Sequence, residues 1–142
     1  MRTDGFSLLD LLIAIAMIGV LTAIAVPRFA AVRDRLAAER AARDLVTFYR
    51  QARYAAIYRG TMVRMEFGAD ALRAVYEGVT DSVFLERPGP SDRGVTLQAS
   101  RPVIRIYPNG FGHGAANTKL VVRRGMAAES VTTSRLGRVK KW

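Results

Sequence analysis

The chain has 142 residues, room for one domain of ordinary size and too few for two independent cores. Its 22 Lys and Arg residues outnumber 12 Asp and Glu, giving a formal charge of +10 and a pI near 11, and 19 of the cations are arginine. The lack of cysteine excludes disulfide scaffolds, thiol nucleophiles and thiolate metal sites, and the single histidine, His113, argues against a poly-His metal site or a His-paired catalytic dyad. Composition thus points away from an enzyme and towards a basic, membrane-linked assembly or binding protein.

The first predicted element runs from Phe6 to Val26, and no residue from Leu11 to Val26 is charged. These 21 residues would span about 31 Å as a helix, close to the roughly 30 Å hydrocarbon core of a bilayer. A cleaved secretory signal fits poorly: only Arg2 is basic ahead of the run, Asp4 offsets it, and Pro27-Arg28-Phe29 follows with no small-residue cleavage site. An ordinary anchor fits better but leaves Asp10 unexplained, because a carboxylate deep in a bilayer costs about 2.5–3.5 kcal/mol on insertion scales. Two accounts of Asp10 stand side by side. It is a helix N-cap at the membrane edge, which leaves 16 residues or about 24 Å for the span. Alternatively it meets a positive charge from a neighbouring subunit, a pair worth about 1 kcal/mol in water and about 4 at intermediate dielectric.

From Phe29 to about Arg59 the sequence is rich in Ala and Arg and contains no Gly or Pro, and Gly60 supplies a stop. Phe29, Val32, Leu36, Ala41, Leu45, Phe48, Ala52 and Ala56 form an apolar stripe, with Arg33, Arg40, Arg43, Arg50 and Arg53 largely off it. The two segments together predict one helix of more than fifty residues, broken or bent near Gly19 and Pro27. Its second half is expected to cover a sheet of the same chain, and its first half to extend towards the membrane.

After Gly60 the texture becomes strand-like. Thr61 to Phe67 alternates between apolar and polar, and Gly68-Ala69-Asp70 reads as a hairpin connection into Leu72–Tyr76. Further strands are expected at Val83–Glu86, Gly94–Gln98, Val103–Tyr107, Lys119–Arg123, Glu129–Ser134 and Arg138–Lys140, separated by Pro88-Gly89-Pro90, Pro108-Asn109-Gly110 and Gly125. The expected fold class is α+β: a long N-terminal helix, transmembrane then amphipathic, packed on a mostly antiparallel sheet.

Gly5-Phe6-Ser7-Leu8-Leu9-Asp10-Leu11-Leu12-Ile13-Ala14-Ile15, followed by Pro27 at the end of the apolar run, resembles the N-terminus of type IV prepilins and pseudopilins. The resemblance implies that a prepilin peptidase cuts between Gly5 and Phe6 and methylates Phe6. It also implies that Asp10, five places into the mature chain, pairs with the N-terminal amine of an adjacent subunit. The family usually has Glu at this place; Asp is one methylene shorter and keeps the charge. Ile106-Tyr107-Pro108-Asn109-Gly110 and the closing Val131-Thr132-Thr133-Ser134-Arg135-Leu136-Gly137-Arg138-Val139-Lys140 resemble the C-terminal half of the H-type minor pseudopilins, the GspH/FimT family.

On that resemblance residues 1–5 are a leader peptide, 6–27 the transmembrane half-helix, 28–60 the amphipathic half-helix and 61–142 the globular β domain. The implied function is a non-enzymatic subunit of a type II secretion pseudopilus or type IV pilus, near its tip, without cofactor or metal. Its implied partners are other pilins, the prepilin peptidase and inner-membrane lipid. The implied placement is single-pass, N-terminus cytoplasmic and globular domain periplasmic. Charge alone favours the reverse orientation, since Arg28, Arg33 and Arg35 follow the span while Arg2 alone precedes it.

Three stretches bear on chemistry. Gly110-Phe111-Gly112-His113-Gly114 lacks the Lys-Ser/Thr step and following helix of a phosphate loop, so a flexible inter-strand loop with an exposed His113 is expected. Asp81, Glu86 and Asp92 lack metal-ligand spacing. From Lys119 to Trp142 seven cations face Glu129 alone. Arg135, Arg138, Lys140 and Lys141, with a terminal aromatic, form a footprint for a polyanion. Some FimT-like minor pilins are DNA receptors, so the resemblance implies DNA as an alternative partner of this tail. A solvated edge in an Arg-rich chain accounts for the same residues.

Overall fold

The structure is a computed structural model that describes residues 8–78, 81–114 and 116–142. Gly5 and Phe6, the expected processing site, lie outside the described residues. A 52-residue helix, α1 (Leu8–Arg59), is followed by eight strands: β1 (Val63–Phe67), β2 (Ala71–Tyr76), β3 (Ser82–Pro88), β4 (Thr96–Ala99), β5 (Val103–Ile106), β6 (Thr118–Arg124), β7 (Ala127–Thr133) and β8 (Val139–Lys141). A single turn of 3₁₀-helix, Pro90–Arg93, precedes β4. The chain divides into two compact units, Met1–Arg33 and Asp34–Trp142.

In the first unit α1 is exposed throughout residues 8–26 and, apart from Asp10, carries no charge there, and it is long and apolar enough to cross a membrane. Thr22 does not disturb this face, because its hydroxyl donates to the Ile18 carbonyl one turn back (2.7 Å). The helix runs through Gly19 and Pro27 without a break. Proline withdraws only its own amide from the hydrogen-bond ladder, and the adjoining turns keep theirs.

In the second unit the rest of α1 supplies the core. Ala37, Ala38, Ala41, Ala42, Leu45, Phe48, Tyr49, Ala52 and Ala56 are buried. Six of them are alanines, and Phe48 meets Phe67 edge to face with centroids 5.7 Å apart. The apolar stripe therefore divides. Its members from Ala41 onward are core, whereas Phe29, Val32 and Leu36 stay exposed.

One antiparallel sheet is expected from the strand spacing; two four-stranded antiparallel sheets are present, ordered β3-β2-β1-β5 and β4-β6-β7-β8. The division falls at the 3₁₀ turn: Gly94, at φ +64°, reverses the chain so that β4 pairs with β6, while β5 returns to the far edge of β1. Val63, Met65 and Phe67 of β1 and Ile104 and Ile106 of β5 alternate inward from one sheet, Leu120, Val122 and Val131 from the other, and all join the core cluster formed with α1. Ion pairs tie two strand ends and the 3₁₀ turn to the helix: Arg124–Asp34 (2.9 Å), Lys141–Glu39 (3.4 Å) and, from the turn, Arg93–Asp44.

Candidate functional site

Where β8 returns along α1, the helix and the β7–β8 turn enclose a groove of about 450 Å³. Arg50, Arg53 and Tyr54 line it from the helix, and Gly137, Arg138, Val139 and Lys140 from the turn and strand. Four of these seven residues are cationic and none is acidic, so the groove carries positive potential.

The turn is built by short-range bonds. Gly137 N–H donates to the Ser134 carbonyl (2.9 Å), Ser134 N–H to the Arg138 carbonyl (2.9 Å), and Arg138 N–H to the Ser134 hydroxyl (3.2 Å). Gly137 takes φ +78°, a conformation that glycine alone adopts without penalty. It also sits in a crowded place. A Cβ there would lie 2.4 Å from Arg53 Nε and 2.7 Å from the Gly110 carbonyl oxygen. Arg53 Nε donates to that same carbonyl (2.9 Å). One guanidinium thus joins the helix, the β5–β6 loop and the β7–β8 turn.

The four expected tail residues separate. Arg138 and Lys140 line the groove. Lys140 Nζ also lies 3.6 Å above the Trp142 ring, whose Nε1–H donates to Thr132 Oγ1 (3.2 Å). Lys141 points to the other face of β8, where it meets Glu39 (3.4 Å) and Glu129 (3.5 Å). Arg43 and, secondarily, Lys141 hold the Glu39 carboxyl below the usual carboxylate range. Arg135 belongs to a second hollow of about 200 Å³, lined also by Tyr107, Asn109, Phe111, Gly112 and Leu136. Arg50, Arg53 and Tyr54 complete the groove and are absent from the sequence-based site. Two of them stand out in the sequence as cations off the apolar stripe, but nothing local says that a three-residue strand comes back beside them. Next to Arg53 on the helix, Tyr49 is buried, and burial pushes its hydroxyl up.

Residues 110–113 of the glycine-rich stretch are hydrogen-bonded through their backbone. Gly110 N–H donates to the Tyr107 carbonyl (2.8 Å), Tyr107 N–H to Phe111 (2.7 Å), Gly112 N–H to Arg135 (2.7 Å) and His113 N–H to Arg105 (2.9 Å). His113 is exposed, as expected. Asp81 and Glu86 serve ion pairs: Arg64 joins Glu66, Glu77 and Asp81, and Arg73 joins Glu86. The three carboxylates raise the Arg64 pKa, Glu66 first among them. Asp10 lies inside the first turn of α1, after Leu8 and Leu9, and so is not its N-cap. Pro27 lies within the same helix.

Residues 41–137, which contain the helix from Ala41 onward and strands β1 to β7, match the family model described as "Type II transport protein GspH". The chain belongs to the GspH family. Two crystal structures of the type IV minor pilin FimU of Pseudomonas aeruginosa (strain PAO1) share the fold of this GspH-family chain. One gives a TM-score of 0.64 at 13% identity, covering 75% of this chain and 88% of FimU. The other gives 0.62 at 12%, covering 73% and 91%. No curated protein sequence matches. The α+β pilin-like architecture expected from the sequence is therefore the observed one, and the family and fold are those of structural subunits of pili and pseudopili.

Proposed function

We propose that this GspH-family chain is a minor pseudopilin or pilin, made as a precursor, cut between Gly5 and Phe6, methylated at Phe6 and assembled near the tip of a fibre. The mechanism is packing. Residues 6–27 hold the subunit in the inner membrane, with its N-terminus cytoplasmic and its β domain periplasmic, until the apolar helices bundle in the fibre core. Asp10 then meets the N-terminal amine of an adjacent subunit. The observation that carries this reading is the divided use of α1, exposed and, Asp10 apart, uncharged over residues 8–26, with one face buried in the core from Ala37 to Ala56. Intact mass spectrometry tests it. Co-expression with a prepilin peptidase should shorten the 142-residue chain by its first five residues and leave a methylated Phe6. An unshortened, unmethylated chain beside an active peptidase would count against the proposal.

A second reading is favoured by the groove itself: the subunit contacts DNA phosphates through Arg50, Arg53, Arg138 and Lys140, a cluster with no acid among its lining residues. Binding of the full chain in detergent to a duplex should then fall as salt rises, with a slope of about −0.9 per phosphate neutralised. Arg138→Ala and Lys140→Ala should each lower that slope by about 0.9. Slopes unchanged in both variants would rule the groove out.

A further inference from the structure

The cationic groove and the hollow around Arg135 share one wall, the turn from Arg135 to Arg138: Arg135 and Leu136 face one side, Gly137 and Arg138 the other. The Gly137 N–H to Ser134 carbonyl bond makes this a tight turn, so the two recesses adjoin. Their chemistry differs. The groove holds cations, whereas the hollow holds two aromatic rings, Tyr107 and Phe111, an amide at Asn109 and the Arg135 guanidinium. Its volume of about 200 Å³ suits one planar ring system and not a stacked pair.

The hollow is prebuilt. Asn109 Oδ1 accepts the Phe111 N–H (3.0 Å), Tyr107 N–H donates to the Phe111 carbonyl (2.7 Å), and Arg135 is held through its backbone by Asn117 Oδ1 (2.7 Å) and Gly112 N–H (2.7 Å). Phe111 (46%), Tyr107 (37%) and Arg135 are exposed residues, and the Tyr107 ring is backed by the His113 ring with centroids 5.0 Å apart. A partly exposed aromatic wall and a planar cation next to a phosphate-sized run of positive charge are what an unpaired nucleobase and its own backbone require. A paired base cannot use the hollow, because both its faces are already stacked in the duplex.

We infer that the Tyr107–Phe111–Arg135 hollow receives one unpaired base while Arg138 and Lys140 hold the adjoining phosphates, so that the subunit selects single-stranded over double-stranded nucleic acid. This rests on the polyanion reading of the groove and adds the specificity that the groove alone lacks.

The test compares fluorescence-anisotropy titrations of the full chain in detergent against an oligothymidylate of about twenty nucleotides and a duplex of the same length, at matched salt. The single strand should bind roughly tenfold or more tightly than the duplex. Phe111→Ala should weaken single-strand binding by roughly tenfold to a hundredfold and leave duplex binding unchanged. Phe111→Trp, which keeps a stacking face, should restore it and so separates stacking from any loss of structure. Equal affinity for the two forms, or a Phe111→Ala loss shared by both, would overturn the inference while leaving the groove's salt dependence intact. Failure of the groove reading looks different: Arg138→Ala then changes neither affinity nor salt slope for either form. Displacement of the oligothymidylate by polyglutamate as readily as by unlabelled single strand would also overturn the inference, because it would make the occupant any polyanion.

Discussion

Replacing Gly137 by alanine is expected to destabilise the second unit by about 3 kcal/mol and to lower its melting temperature by about 10 °C, read by near-ultraviolet circular dichroism of the full chain in detergent. Two costs add. A β-carbon at φ +78° meets the ordinary left-handed penalty of about 1–2 kcal/mol. The same atom would also stand 2.7 Å from the Gly110 carbonyl oxygen and 2.4 Å from Arg53 Nε, overpacking worth about 1–3 kcal/mol more. Arg53 is flexible enough to withdraw, but it would then give up its bond to Gly110 and its place in the groove. The Gly110 oxygen moves only with the β5–β6 loop. Gly114→Ala is the control, since at Gly114, with φ +59°, an added Cβ would meet nothing within 4 Å and should show the first cost alone. If the two variants lost equal stability, the three-way contact of helix, loop and turn would not be tight.

That contact also marks where the sequence stops being readable. The eight strands and the long helix follow from local signals, because alternation, helix-forming alanine and arginine, and glycine or proline stops act within a few residues. Pairing does not. Nothing in Val103–Ile106 says that it will join β1 rather than continue the sheet begun by β4, and the two-sheet arrangement depends on that choice. Burial was legible where large side chains carry the period, at Leu45 and Phe48. It was silent at Ala37, Ala38 and Ala42, whose small side chains read as helix propensity but are buried. The candidate site shows the same limit. Arg138 and Lys140 cluster in sequence and meet in space, whereas Arg53 lies 57 positions from the carbonyl it binds. Lys141 shares the cluster in sequence, but strand alternation turns it to Glu39 and Glu129.

Asp10→Ala should reduce incorporation of the subunit into fibres by about fivefold or more while leaving cleavage and membrane insertion intact. A carboxylate in the span costs up to about 2.5–3.5 kcal/mol at the membrane centre and less near its edge, so alanine eases insertion of the single helix. Assembly reverses the sign. Beside the amine freed by peptidase cleavage, the same carboxylate gains between about 1 and 4 kcal/mol as the local dielectric falls, and each 1.4 kcal/mol lost is tenfold in an equilibrium. Alanine forfeits that gain when the subunit joins the fibre. Asp10→Asn keeps the volume and removes the charge, so it should follow alanine, whereas Asp10→Glu keeps the charge with one more methylene of reach and should assemble at least as well as the parent. The readout is an immunoblot of sheared fibres against membranes, with the processed mass confirming that each variant was cut. Asparagine behaving like glutamate would show that size or hydrogen bonding at this position matters and charge does not. Wild-type incorporation of the alanine variant would remove electrostatic pairing from the assembly mechanism altogether.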